Sequence, residues 1–379
     1  MRRRDFLAAS VAALALPRLA LAQQGAYRRL LVLVEMKGGN DGLNTVVPYA
    51  DRAYYDLRPR IGIARDAVLQ LDERTGLHPS LEPLMPLWRA GELALVQGVG
   101  YPQPNLSHFR SIEIWDTASA SDQYLSRGWL ARAFDANPAP AGFAADGVAV
   151  GGHDMGPLAG GRRAIALNDP GQFQRQARLV RAEGRSANPA LEHILRVEAE
   201  IAQAASRLSA DVPFATEFPK SPFGNAVRAA AELAANRSGV AAIRLTLDGF
   251  DTHENQPMRQ QRLLGELAVG LAALKSALLE IKRWDETLVM SYAEFGRRPR
   301  ENASGGTDHG TANAHFVAGG RVRGGLYGAA PDFGALEGGN LRHAVDFRSL
   351  YATALASWWG LDASRALGGR FPTLELLRA

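Results

Sequence analysis

Residues Leu30-Leu31-Val32-Leu33-Val34 form an unbroken apolar run of strand length. A strand without polar alternation has no face to give to water, so it belongs inside a sheet covered on both sides. Leu93-Ala94-Leu95-Val96 repeats the pattern, and Ala242–Leu247, Thr287–Met290 and Phe316-Val317-Ala318 add further apolar, β-prone runs. After Ala242–Leu247 comes the clearest helix of the chain, in which Leu264, Leu267, Leu271, Leu274, Leu278 and Ile281 recur in three- and four-residue steps. That spacing makes one apolar stripe for packing on a sheet. Strands alternating with long helices predict an α/β fold, a mostly parallel central sheet with helices on both faces.

The N-terminus reads as an export signal. Arg2-Arg3-Arg4-Asp5-Phe6-Leu7 is basic, Ala8–Leu16 is apolar, and Ala20-Leu21-Ala22 resembles a cleavage site before Gln23. Residues 1–22 are therefore expected as a signal peptide, too short to span a bilayer and interrupted by Pro17 and Arg18. The Arg3-Arg4-x-Phe6-Leu7 core resembles a twin-arginine signal, an address read by the translocation machinery. A periplasmic or secreted protein, exported already folded, is the expectation.

Of the formal charge of +4, the signal segment carries +3, so the mature chain is near +1. With no Lys/Arg run interleaved with aromatics, nucleic-acid binding is disfavoured. There are no cysteines, so stability must come from the core and not from disulfides. Residues 26–379 are read as one domain, with a helical excursion over 187–238 that could cap a site and a Pro/Ala/Gly-rich surface loop from Ala133 to Gly147.

Half of the eight histidines fall in three segments rich in acids. They are Asn105-Leu106-Ser107-His108-Phe109-Arg110, Gly249-Phe250-Asp251-Thr252-His253-Glu254, and Glu294-Phe295-Gly296-Arg297 continuing through Thr307-Asp308-His309-Gly310 to His315. Asp41, Ser107, Asp251 and Glu294 each follow the carboxyl end of a predicted strand, where ligands gather in parallel sheets. No Gly-x-Ser-x-Gly elbow, Walker A loop, His-Glu-x-x-His or Gly-x-Gly-x-x-Gly motif is present.

Gly38-Gly39-Asn40-Asp41-Gly42-Leu43-Asn44, Ser107-His108-Phe109, Phe250-Asp251-Thr252-His253, Glu294-Phe295-Gly296-Arg297 and Thr307-Asp308-His309-Gly310, in this order, resemble the twin-arginine-exported family DUF1501. That family, of unknown function, is placed within the alkaline phosphatase-like group. The resemblance implies a three-layer α/β/α alkaline phosphatase-like fold. It implies no established reaction, since the family has none. The wider group, whose phosphatases, phosphomutases and sulfatases hold two or fewer divalent metals at the strand ends, supplies the template for expecting hydrolysis of a phosphate or related ester at one or two divalent metal ions. By analogy with the group, Ser107 looks like the nucleophile at a helix N-terminus, and Asp41 like the first-strand metal carboxylate. Asp251, Glu294 and His315 are similar in order to later metal ligands, His253 and His309 are candidates for a ligand or general acid, and Arg297 for an anion clamp. An oxygen-rich ligand set of this kind suits Mg²⁺, Mn²⁺ or Ca²⁺ better than a purely zinc site. The chain departs from the group where Glu294 is followed by Phe295 instead of His, and Phe109 after Ser107-His108 speaks against formylglycine chemistry.

Each residue also has a structural reading. Asp41 can be turn chemistry, Ser107 an N-cap, Asp251-Thr252-His253 a hydrogen-bonded turn, and Glu294 with Arg297 an ion pair. The rival to a hydrolase is a secreted binding or assembly module that kept the fold without the chemistry.

Overall fold

The computed structural model describes residues 27–179, 186–208, 212–236 and 239–378. The expected signal peptide at 1–22 lies outside the described residues. No described helix is long and apolar enough to cross a membrane.

The apolar runs form the sheet, as predicted. Its strands, in chain order, are β1 Leu30–Lys37, β2 Leu93–Gly100, β3 Ala145–Val150, β4 Ala164–Leu167, β5 Val240–Asp248 and β6 Thr287–Tyr292. A hairpin of β7 Gly296–Glu301 and β8 Thr307–Gly310 stands apart, and β9 Asn313–Ala318, β10 Gly325–Gly328 and β11 Val345–Asp346 rejoin the sheet. The spatial order is β10-β2-β9-β6-β1-β5-β3-β4, with β11 also paired to β2. Within this sheet every ladder is parallel except the two made by β9.

The period of two along β1 divides the core. Leu30, Val32, Val34 and Met36 face one layer, with Leu264, Leu267, Leu271 and Leu274 of the long helix Gln256–Glu280. Leu31 and Leu33 face the other, with Trp115, Trp129, Tyr351 and Trp358. The result is the expected three-layer α/β/α arrangement around a mostly parallel sheet.

Two local readings are corrected. The span Ala133–Gly147 is not one surface loop: the helix Trp129–Ala136 runs into it, and the buried strand β3 starts at Ala145. Asp146 and Gly147 hide that strand in the sequence; a larger residue at Gly147 would collide with Leu158, its Cβ coming within 2.3 Å of that side chain. Within the excursion 187–238, the helix Pro222–Ala234 is not lateral, because Phe223, Val227 and Leu233 pack into the core beneath the sheet.

Candidate metal centre

Three chain segments meet beyond the ends of β1, β5 and β6. The first is the helix His108–Thr117, called α1 below, with Ser107 at its N-cap position in extended geometry. Its approach is fixed by a small hydrogen-bonded knot. The Tyr101 hydroxyl accepts the Asn105 N–H at 3.1 Å, and Asn105 Oδ1 accepts the Ser107 N–H at 2.9 Å. The Ser111 hydroxyl then donates to the carbonyl of Glu294, tying α1 to the end of β6. The second segment is the turn after β5 that carries Asp251 and His253. The third is the β7–β8 hairpin, whose register sets Arg297 opposite His309. Asn302 Nδ2 at its tip donates to the His253 carbonyl at 2.9 Å and so links the last two segments.

His108 Nδ1 lies 2.9 Å from Glu294 Oε1, and His309 Nδ1 lies 2.8 Å from the Leu106 carbonyl. A carbonyl accepts only, and an ionised carboxylate accepts only, so each Nδ1 carries the hydrogen. In the neutral rings both Nε2 atoms are then left with bare lone pairs. Both point at one carboxylate: His108 Nε2 is 3.4 Å from Asp251 Oδ2, and His309 Nε2 is 3.4 Å from Asp251 Oδ1. Two ligand atoms of a tetrahedral zinc site, each about 2.0–2.1 Å from the ion, stand about 3.3–3.4 Å apart. His108, Asp251 and His309 thus form a group that can hold a metal ion. His253 adds a third imidazole, its Nε2 2.9 Å from His309 Nε2 and 3.0 Å from Asp251 Oδ1.

The electrostatics follow from these partners. The hydrogen bond that His108 donates to Glu294 raises the His108 pKa, against the effect of partial burial. Burial lowers that of His309, although the Leu106 carbonyl opposes it. For Asp251 burial pulls upward, but the hydrogen bond and charge of Arg297, with His253 and His108, prevail and lower its carboxyl to about 2. Asp251 is therefore a carboxylate at neutral pH.

The segments bring together Asp251, His253 and His309 from among the candidate ligands, with Glu294 one step behind. The Glu294 carboxylate is buried and accepts the Gly38 N–H at 2.9 and 3.1 Å, so it holds His108 in place instead of facing the cluster. Ser107, flanked by Leu106 and His108, is exposed and its hydroxyl does not cap α1.

Three expectations are corrected by the geometry. Asp41 is not at the centre. Its carboxylate is buried between both terminal nitrogens of Arg58, at 2.5 and 3.0 Å, the Gln256 amide and the Leu43 N–H, which leaves it no lone pair to offer a metal. His315 is not there either; it is buried on β9, edge-on to Trp115 at 5.2 Å between ring centres. Arg297 is no anion clamp, since it is 2% exposed and its three guanidinium nitrogens all donate to protein oxygens. The donor set is accordingly richer in nitrogen than the sequence suggested.

His108 is the candidate ligand that reading by analogy passed over, because it stands next to the serine that the analogy favours. The available signal was its place in an acid- and imidazole-bearing segment. Phe295 fills a packing need beside the two imidazoles. Its ring lies 4.9 Å from that of His108 and 4.4 Å from that of His309, and it buttresses both.

The fold is thus a three-layer α/β/α sheet with a candidate metal centre beyond its strand ends. The chain belongs to the DUF1501 family, described as a protein of unknown function, whose model matches residues 66–369. No curated protein gives a significant match. Among solved structures the chain is similar to Ps i-CgsB, with a TM-score of 0.42 and 13% identity over 90% of this chain and 74% of that one. It is also similar to the lipoteichoic acid synthase LtaP from Listeria monocytogenes, at 0.38 and 10% over 92% and 76%. A protein of the alkaline phosphatase superfamily from Vibrio parahaemolyticus gives 0.40 and 10% over 90% and 69%.

Proposed function

We propose that this protein is a metal-dependent hydrolase of phosphate or related esters in which the Ser107 hydroxyl is the nucleophile. The observation that supports it most is the convergence of His108, Asp251 and His309 beside the exposed N-terminus of α1. The donor chemistry fits a divalent ion, with two tautomer-fixed imidazoles and an ionised carboxylate at ligand-like separations. Zn²⁺ suits that set better than Mg²⁺ or Ca²⁺, which favour oxygen. When bound, such an ion supplies Lewis-acid polarisation of the ester oxygen and lowers the pKa of a nearby hydroxyl.

The chain's own groups have separable tasks. Glu294 and the Leu106 carbonyl fix the two imidazoles, and Arg297 keeps Asp251 charged. Ser107 Oγ gives up its proton to water and attacks the phosphorus or sulfur in line as the bond to the leaving oxygen breaks. Water then cleaves the ester formed on Ser107, and the N–H groups of the first turn of α1 stabilise the charge that develops. His253, whose side chain is 43% exposed with Nδ1 3.6 Å from Asp308, is the imidazole placed to carry a proton to the leaving oxygen. The basic Arg3-Arg4 motif supports a working site outside the cytoplasm, reached folded by the twin-arginine machinery.

Phe295 favours one rival, a binding or assembly module without turnover, because it removes an imidazole from the strand end. The deciding experiment is turnover of p-nitrophenyl phosphate and p-nitrophenyl sulfate by Zn²⁺-loaded protein. The hydrolase reading requires Ser107→Ala to abolish turnover while Zn²⁺ stays bound. A loaded parent that cleaves neither ester, nor any wider ester panel, leaves the module.

A further inference from the structure

The Arg297 guanidinium sits in a shell of oxygens. Nε donates to the Gly39 carbonyl at 2.7 Å and Nη1 to the Thr307 carbonyl at 3.0 Å. Nη2 donates to Phe250 at 3.1 Å, to Asp251 Oδ1 at 2.7 Å, and to the Gly38 carbonyl. Two carbonyls and a carboxylate oxygen meet at Nη2, with two further carbonyls along the guanidinium edge, and oxygens of this kind are what a hard cation takes as ligands. The side chain they surround is itself a permanent cation.

We infer that the centre holds a single divalent ion, and that Arg297 is a resident cation standing where a second one would bind. This rests on reading the site as a metal centre. Both acids nearest the cluster are committed, Asp251 Oδ1 to Arg297 and Glu294 to Gly38 and His108. A second divalent ion would stand beside the buried guanidinium of Arg297, which low dielectric makes costly. Arg297 is thus a positioning residue, acting on the ion through Asp251.

The test is binding stoichiometry, with no turnover involved. Chelator-treated protein is titrated with Zn²⁺ by calorimetry and checked by elemental analysis, then titrated with Ca²⁺. The parent should take one equivalent of Zn²⁺ and no Ca²⁺. Arg297→Ala, which uncovers the oxygen shell, should take one Zn²⁺ and about one Ca²⁺, and Arg297→Lys, which keeps a charge there, should take no Ca²⁺. Two equivalents of Zn²⁺ in the parent, or a folded Arg297→Ala that refuses Ca²⁺, would overturn the inference and leave the metal-centre reading intact. No Zn²⁺ in the parent would remove both. If Arg297→Ala does not fold, the parent's stoichiometry decides alone.

Discussion

His108 Nδ1 and Glu294 Oε1 stand 2.9 Å apart, and that contact turns the other face of the imidazole toward Asp251. The acid does not reach the cluster itself. Its influence passes through ring orientation and ring basicity, as carboxylates behind metal-bound histidines commonly act. Glu294→Gln keeps one acceptor but sets an amide N–H₂ against either Gly38 N–H or His108. Zn²⁺ affinity, measured by competition with a chromogenic chelator, should fall by roughly 10–100-fold with the fold unchanged. An unchanged affinity would show that Glu294 serves only to pin the loop at Gly38.

Asp41 and Arg58 make a buried ion pair at 2.5 Å, both side chains shielded from water. Removing one partner of such a pair strands the other's charge, at a cost of about 3–5 kcal/mol. Asp41→Ala should therefore lower the urea midpoint sharply while Zn²⁺ stoichiometry stays that of the parent. Loss of the bound ion from a variant still folded under the assay conditions would restore Asp41 to the ligand set.

His315 gives a prediction about pH. Burial lowers its pKa from the ordinary 6.5 to about 3, and its Nε2 has no partner. Between those two values the unfolded chain carries a proton on this imidazole that the folded chain refuses. Stability from this residue is thus complete above pH 6.5 and declines as the pH falls toward 3, by at most about 1.4 kcal/mol per pH unit. His315→Phe, facing Trp115, should flatten the decline in unfolding free energy between pH 6 and 4. A parent and variant with parallel profiles would mean that the imidazole is protonated without cost.

The sheet was legible because its strands are buried on both faces and so read as apolar runs; β1, β2, β5, β6 and β9 all announce themselves in this way. β3 and β4 did not, since Asp146 and Gly147 interrupt one and the other is only four residues long. For the centre, the sequence pointed to segments that the fold brings together, and not to which of their side chains meet. An acid after a strand looks the same whether its lone pairs are all taken up or partly left open, and Asp41 differs from Asp251 in accepting from Arg58 and Gln256, 17 and 215 residues away. His108, beside Ser107, likewise gains its role from Glu294, which is 186 residues distant. Pairing across such separations is a property of the folded topology, which residue type and spacing do not encode locally.

Gly38 is the point where the first strand and the centre are held closest. Its backbone has a φ of +111°, its N–H serves Glu294, its carbonyl serves Arg297, and a Cβ there would stand 2.3 Å from the Asp251 amide nitrogen. A left-handed conformation and a backbone clash act together, because neither Gly38 nor Asp251 can yield without breaking a buried hydrogen bond. Gly38→Ala should cost on the order of 1–3 kcal/mol in unfolding free energy from backbone strain. It should also displace Asp251 enough to weaken Zn²⁺ binding in the fraction that folds. Gly142→Ala, with nothing within 4 Å of the added carbon, is the matched control and should change neither quantity. If Gly38→Ala lost stability but bound Zn²⁺ like the parent, Asp251 would be positioned by Arg297 alone, and the close approach at Gly38 would serve the fold without serving the site.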